Sequence, residues 1–330
     1  WHNLSEFLNR AKDSHVQLYG GEPLLNMDFV KRIAKEPNVA SLTIQTNGLL
    51  LDTIPEKLYD RIDGVIVSLD GGRKATDSFR GKDVYDKVMR QLTILRKRGY
   101  NGYVGARMTI SPGINIYNSV LRLLKTPHIK FDAIYWQLNA QFFNSEWETK
   151  KDAIKKWFKE SYNPHIKMLV KVWAEELIKN NRVINLIPFT GVASTILKRE
   201  KHDNLRCGAG HEMFAIDTKG DVFACPVMRH FDKYRLGNIT NKEFLPEPKN
   251  YLIQPCKSCD LLWVCGGRCL YANKEKPWGD EGFSLVCESV KNLVESIQKY
   301  EHDIKDKIEK KEISVHEFRE DFFGEFEVIP

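Results

Sequence analysis

VQLYGGEPLLNMDFVKRIAK, residues 16–35, contains one complete strand, turn and helix. Residues 16–19 form a short apolar run of strand type that stops at Gly20-Gly21. Asn26 then stands where a helix N-cap belongs, ahead of a buried stripe of Val30, Ile33 and Ala34. The alternation continues along the chain. Residues 42–45 predict a second strand closed by Thr46-Asn47-Gly48, and residues 54–59 a short helix. Val65, Ile66, Val67 and Leu69 predict a third strand, continuous in apolar character as a covered parallel strand should be. A loop rich in glycine and charge follows, and then Val84, Val88, Leu92 and Leu95 mark a helix lying on the sheet. Tyr103–Ile110 and Ala133–Leu138 predict the fourth and fifth strands, with a helix over 117–124 between them. Residues 184–187 read as a last strand, and 191–197 as a helix. Repeated βα units without a dinucleotide fingerprint predict an α/β fold with a barrel-like or open parallel sheet, whose ligands bind beyond the carboxyl ends of the strands. The residues just past those ends are Gly20, Gly21, Glu22 and Pro23, then Asn47, Ser68 with Asp70, Arg107, and Gln137.

The remainder of the chain sets bounds on that reading. Its 330 residues are 42% hydrophobic and 28% charged with a net charge of +6, which fits a globular protein and excludes collagen, fibre and wholesale disorder. No run of 18 apolar residues occurs and the first ten residues lack a signal peptide's apolar stretch, so a cytoplasmic location without a membrane partner is expected. Lysines and glutamates are mixed throughout, and no nucleic-acid partner is expected. Residues 146–180 predict a charge-rich helical region packed through Trp147, Trp157 and Trp173. A tail helix over 284–311 carries Val290, Leu293, Val294 and Ile297, and the acidic, phenylalanine-rich end after Phe318 has no readable motif.

All seven cysteines fall late in the chain: Cys207, Cys225, then Cys256-x2-Cys259-x5-Cys265-x3-Cys269, and Cys287. The odd count in an otherwise cytosolic-looking chain argues against a disulfide framework. Paired thiolates two residues apart instead suit one ion or cluster, and spacing alone leaves zinc and iron-sulfur both open. Seven ligands favour two centres, one with four cysteines and one with three. His211, four residues after Cys207, is a candidate for the open position. Thr218-Lys219-Gly220 predicts a hairpin turn before Cys225. The glycines of CGAG and CGGRC let the backbone approach a cluster and aim amides at its sulfurs.

Together these motifs resemble a family. YGGEPLL, QTNG, VSLDGG with its following FRG, and GARMTI are similar to the core of radical S-adenosylmethionine enzymes, and the cysteine array with LGNI at 236–239 resembles their SPASM extension. Length and tail are most similar to an archaeal group of peptide-modifying members. The resemblance implies a partial (β/α)6 TIM-like barrel lacking its first strand over 1–200, a small cysteine-rich SPASM domain over 201–290, and a C-terminal helix and tail over 291–330. It implies a maturase that abstracts hydrogen from a ribosomally made peptide, installing a thioether or carbon-carbon crosslink. Oxidation of a protein side chain, as in sulfatase maturation, and a non-catalytic zinc or iron-sulfur scaffold are the alternatives. Sulfatase-maturating members place an aspartate directly after the second cysteine, where this chain has Pro226.

The resemblance also implies roles. Gly20, Gly21, Glu22 and Pro23 would hold the amino group of S-adenosylmethionine, Asn47 lies in the neighbouring turn, Ser68 and Asp70 would meet the ribose and methionyl portion, and Arg107 the carboxylate. Cys256, Cys259, Cys265 and Cys287 would hold an outer auxiliary 4Fe-4S cluster. Cys207, Cys225 and Cys269 would hold an inner one, its last position filled by His211 or by substrate. A flavodoxin or ferredoxin would supply electrons. The family's CxxxCxxC loop, which holds the radical-generating 4Fe-4S cluster, has no counterpart before Cys207, and the start at Trp1 leads to the expectation that it lies upstream.

Overall fold

The computed structural model describes residues 1–127, 129–139, 144–318 and 329–330. Five parallel strands, β1 (Ser14–Leu18), β2 (Val39–Thr46), β3 (Gly64–Ser68), β4 (Tyr103–Ile110) and β5 (Ala133–Leu138), pair in sequence order and form a half-barrel. Helices α1 (His2–Arg10), α2 (Met27–Ile33), α3 (Arg73–Arg80), α4 (Val84–Lys97) and α5 (Ile116–Leu124) surround this sheet in chain order. Asn26 caps α2 as expected, its side chain accepting the Phe29 amide at 3.2 Å.

The strand register separates two faces. Leu18, Ile44, Val65 and Val104 form one row across the sheet, and Val67, Ala106 and Ile134 another. These rows share one core with Val30 and Ile33 of α2, Val88, Leu92 and Leu95 of α4, and Val120 of α5. Each such side chain contributes about 1.5–3 kcal/mol on burial. The opposite face is polar: Gln17 lies beside Thr43, Ser68 beside Arg107, and Thr109 beside Gln137. A parallel half-barrel with a polar inner face has the lining of a ligand site.

Beyond β5, α6 (Asn144–Trp157) passes through a π-turn, Phe158–Tyr162, into α7 (Asn163–Asn180), and α8 (Ile187–Lys198) follows. Trp147, Trp157 and Trp173 are buried here, as expected. A small antiparallel sheet comes next, β6 (Ala215–Ile216), β7 (Asp221–Phe223) and β8 (Arg235–Asn238). Gly220, at φ +85°, turns the predicted hairpin between β6 and β7, and the Asp217 carboxylate accepts the amides of Lys219 and Asp221 at 2.8 and 2.9 Å. Short helices α9 (Leu262–Cys265) and α10 (Leu270–Glu275) lead to α11 (Gly279–Gln298) and α12 (Glu301–Glu309). Val290, Leu293, Val294 and Ile297 of α11 join the barrel's core.

Four details depart from expectation. The predicted loop before α4 contains α3, whose one buried residue, Thr76, gives no apolar stripe to read. The predicted strand over 184–187 is a single bridge between Ile134 and Leu186, because Pro188 in the first turn of α8 starts a helix there. The helix predicted over 54–59 is replaced by two 3-10 turns, Leu51–Thr53 and Glu56–Arg61, separated by Ile54 and Pro55. The tail helix breaks between Gln298 and Glu301 into α11 and α12. The motif-free end over 319–328 lies outside the described residues. Among those residues, no helix is long and apolar enough to cross a membrane.

Candidate functional site

At the carboxyl end of β1 the backbone of Gly20 and Gly21 takes φ of +93° and +45°, a conformation that a side chain would strain. This turn delivers Glu22 to the next strand end. Its carboxylate accepts the Thr46 hydroxyl at 2.7 Å, the Asn47 amide at 2.8 Å and the Leu24 amide at 3.1 Å. Pro23 opens the 3-10 turn that follows. One carboxylate thus latches the loops after β1 and β2. With about four acceptor positions on a carboxylate, three of them filled, Glu22 keeps room for one further donor.

Arg107 rises from β4 on the polar face, opposite Ser68 of β3 and Tyr135 of β5. Its guanidinium carbon lies 5.8 Å from the Tyr19 ring centroid and 5.5 Å from that of Tyr135, and its Nη2 donates to Gln137 Oε1 at 3.0 Å. Two aromatic rings and an amide therefore fix the plane of the guanidinium fork, the arrangement needed to present it to a carboxylate.

Asp70 has a different environment. It is 1% exposed, its Oδ1 accepts Arg80 Nη2 and the Thr109 amide, each at 2.8 Å, and Arg80 Nε lies 2.7 Å from Oδ2. Thr76 accepts the Asp70 amide and donates to Gly71. Asp70 is thus committed to bracing the β3 loop against β4 and α3. Asp70→Ala should lower unfolding free energy by about 3 kcal/mol, because it strands Arg80 and the Thr109 amide. Urea denaturation measures this, and a loss under about 1 kcal/mol would show the brace to be idle.

In the cysteine region, Cys256, Cys259, Cys265 and Cys287 line one cavity of about 260 Å³ together with Gly267 and Arg268. Burial, then the neighbouring thiols, push Cys256 up to about 11 and Cys265 up to about 12. Burial likewise raises Cys287. The Gly267 amide, aimed at the Cys265 sulfur, opposes the rise. Thiols raised in this way become thiolates together only around a cationic group. Among the described residues, no three His, Cys, Asp or Glu side chains converge on a single ion. Arg268 adds a cation to the wall, and its Nη2 is buried without a hydrogen-bond partner. Gly266 and Gly267 are sterically required, since a Cβ would come within 2.6 Å of Arg206 at one and 2.2 Å of Leu252 at the other.

Cys225 is buried in a second, smaller core with Met228 and Leu270, and Cys207 packs against it. Cys269, 1% exposed, immediately precedes Leu270. His211 lies 3.8 Å from Glu212. Among the described residues no disulfide joins any of the seven cysteines.

Sequence reading missed three side chains. Arg80 pairs with Asp70, ten residues before it, and Arg268 with Pro330, 62 residues after it. Arg229, from the turn after Cys225, reaches the barrel mouth: a Cβ on Gly20 would lie 3.6 Å from its Nη1.

A half-barrel with a glycine-lined first turn, a carboxylate latch and a fixed arginine is thus joined to a multi-cysteine extension. The model of the Radical SAM superfamily matches residues 3–124. The chain is 25% identical over 288 residues to mycofactocin maturase MftC of Mycolicibacterium smegmatis, spanning 82% of this chain and 69% of that protein. It is 23% identical over 338 residues to the serine-type anaerobic sulfatase-maturating enzyme of Bacteroides thetaiotaomicron, spanning 90% and 79%. The fold matches the structure of native anSMEcpe with bound AdoMet and the Kp18Cys peptide at a TM-score of 0.66, with 19% identity and 93% and 90% coverage.

Proposed function

We propose that the protein is a radical S-adenosylmethionine maturase acting on a peptide or protein side chain, and that the cavity shared by four cysteines holds an auxiliary 4Fe-4S cluster. That cavity carries the cluster reading, because it brings four cysteines to one space of about 260 Å³ with Gly267 and Arg268 in its wall. The family's cofactors supply hydrogen-abstracting one-electron chemistry when bound.

This chain's residues divide the binding. Glu22 offers its remaining acceptor position to the ammonium of S-adenosylmethionine, and Arg107 its fork to the carboxylate. Ser68 lies between them on the polar face, and Asp70 acts on the site by holding its loop. Asn47 is fixed through its amide by Glu22. Arg229 closes the mouth from the cysteine region and presents a second guanidinium to an incoming substrate. Cys259 and Cys287 are exposed whereas Cys225 and Cys269 are buried and Cys207 half-buried, so a cluster on the outer set would be the more accessible to an electron-transfer partner. No cysteine precedes Cys207, so residues 1–206 offer no thiolate to the radical-generating cluster.

A sulfatase-maturase reading is supported by one relative, but Pro226 has no group to accept a proton where the resemblance leads one to expect an aspartate. Anaerobic reconstitution followed by iron and sulfide counting tests the proposal. About eight irons per chain are expected from two 4Fe-4S clusters. A colourless protein with one or two zinc ions overturns it.

A further inference from the structure

Arg268 is an expensive residue for its position. It follows Gly266-Gly267 with φ of +58°, a left-handed conformation that costs a long side chain about 1–2 kcal/mol and costs glycine nothing. It is 8% exposed. Its Nε donates to the Pro330 carbonyl at 2.7 Å, while Nη2 is buried without a hydrogen-bond partner. A buried unpaired N–H on a charged group is among the costlier features a fold can retain. Glycine at 268 would remove both penalties at once, so the side chain needs a compensating partner.

The cavity supplies one. Arg268 lines it beside Cys256, Cys259, Cys265 and Cys287, and Lys276 lies in the same wall. A 4Fe-4S core bound by four thiolates carries net negative charge in either redox state, and reduction adds one unit more. A cation held at fixed distance stabilises the reduced form more than the oxidised one, and an N–H directed at a sulfur does the same.

Resting on the auxiliary-cluster reading above, we infer that Arg268 is a positioning residue for that cluster's redox function: its Nη2 donates to a cluster sulfur, and its fixed charge raises the cluster's reduction potential. The Pro330 carbonyl holds Nε and so fixes the guanidinium of a residue that lines the cavity.

The test uses the full chain, reconstituted anaerobically, with potentials read by EPR-monitored redox titration and iron counted separately. Arg268→Gly suits the backbone and removes the charge. It should keep its iron while one cluster's reduced-to-oxidised ratio at fixed potential falls about tenfold, which is about 59 mV for one electron. Arg268→Lys restores charge without the fork and should recover most of the shift, which a brace acting only through Pro330 would not allow. Iron retained by the lysine variant but lost from the glycine variant also supports the counter-charge. Unchanged potentials in an iron-replete glycine variant overturn the inference alone, as does iron loss in both variants. A wild-type chain that binds no iron overturns the cluster reading with it.

Discussion

Arg107→Ala lowers the affinity for S-adenosylmethionine by about 10- to 150-fold, the equivalent of one charge-assisted hydrogen-bonded pair of about 1.5–3 kcal/mol. The size of the effect follows from how the guanidinium is held. Tyr19 and Tyr135 contact it and Gln137 accepts one N–H, so the plane of its fork is set before the ligand arrives. Little ordering cost is left to weaken the interaction. Arg107→Lys should recover little of the loss, because an ammonium offers a point charge where the site is shaped for a planar fork. Glu22→Ala should weaken binding as well, but by a second route. It removes the ammonium's partner and also unlatches Thr46 and Asn47, so faster hydrogen exchange at the Asn47 amide should accompany the lost affinity. Calorimetric titration of full-length protein with intact iron content measures both variants. Wild-type affinity in Arg107→Ala would remove that residue from the site.

Strands were the readily legible part of this fold, and the reason is local. In β4 and β5 nearly every residue helps fill a covered sheet, so apolar runs and their turn residues coincide with the strand limits of Tyr103–Ile110 and Ala133–Leu138. The site was legible only where the backbone itself is constrained, as at Gly20 and Gly21, or where chemistry needs a residue type at fixed spacing, as in the cysteine array. What escaped depends on pairs brought together from afar. Asp70 reads as a loop acid past a strand end, the place for a ligand contact, and only the fold shows Arg80 and the Thr109 amide occupying it. Arg268 reads as a charge in a glycine turn until Pro330, 62 residues on, and the cysteine cavity explain it. Sequence spacing records which residues are near in the chain, whereas electrostatic roles are set by neighbours that spacing does not record.

Cys265→Ser should strip about four of about eight irons from the chain and leave the inner cluster in place. Cys265 is the thiol on which the cavity's constraints converge: burial and the repulsion of Cys256 and Cys287 raise it most, and Gly267 presents an amide to its sulfur. A serine hydroxyl there ionises far less readily than a thiol, so the outer set loses one of its four thiolates. Because ligation free energy is also folding free energy, the variant should melt lower than the wild type. Cys225→Ser should remove the other four irons, since its side chain belongs to the separate core around Met228 and Leu270. The double variant should then hold almost none. Additive losses establish two centres, one dependent on Cys265 and the other on Cys225. If Cys265→Ser alone empties both, the cysteines form one interdependent assembly, and the assignment of Cys207, Cys225 and Cys269 to an inner cluster fails. Loss of a single metal ion would instead mark a mononuclear site, a geometry disfavoured by the absence of three converging ligands among the described residues.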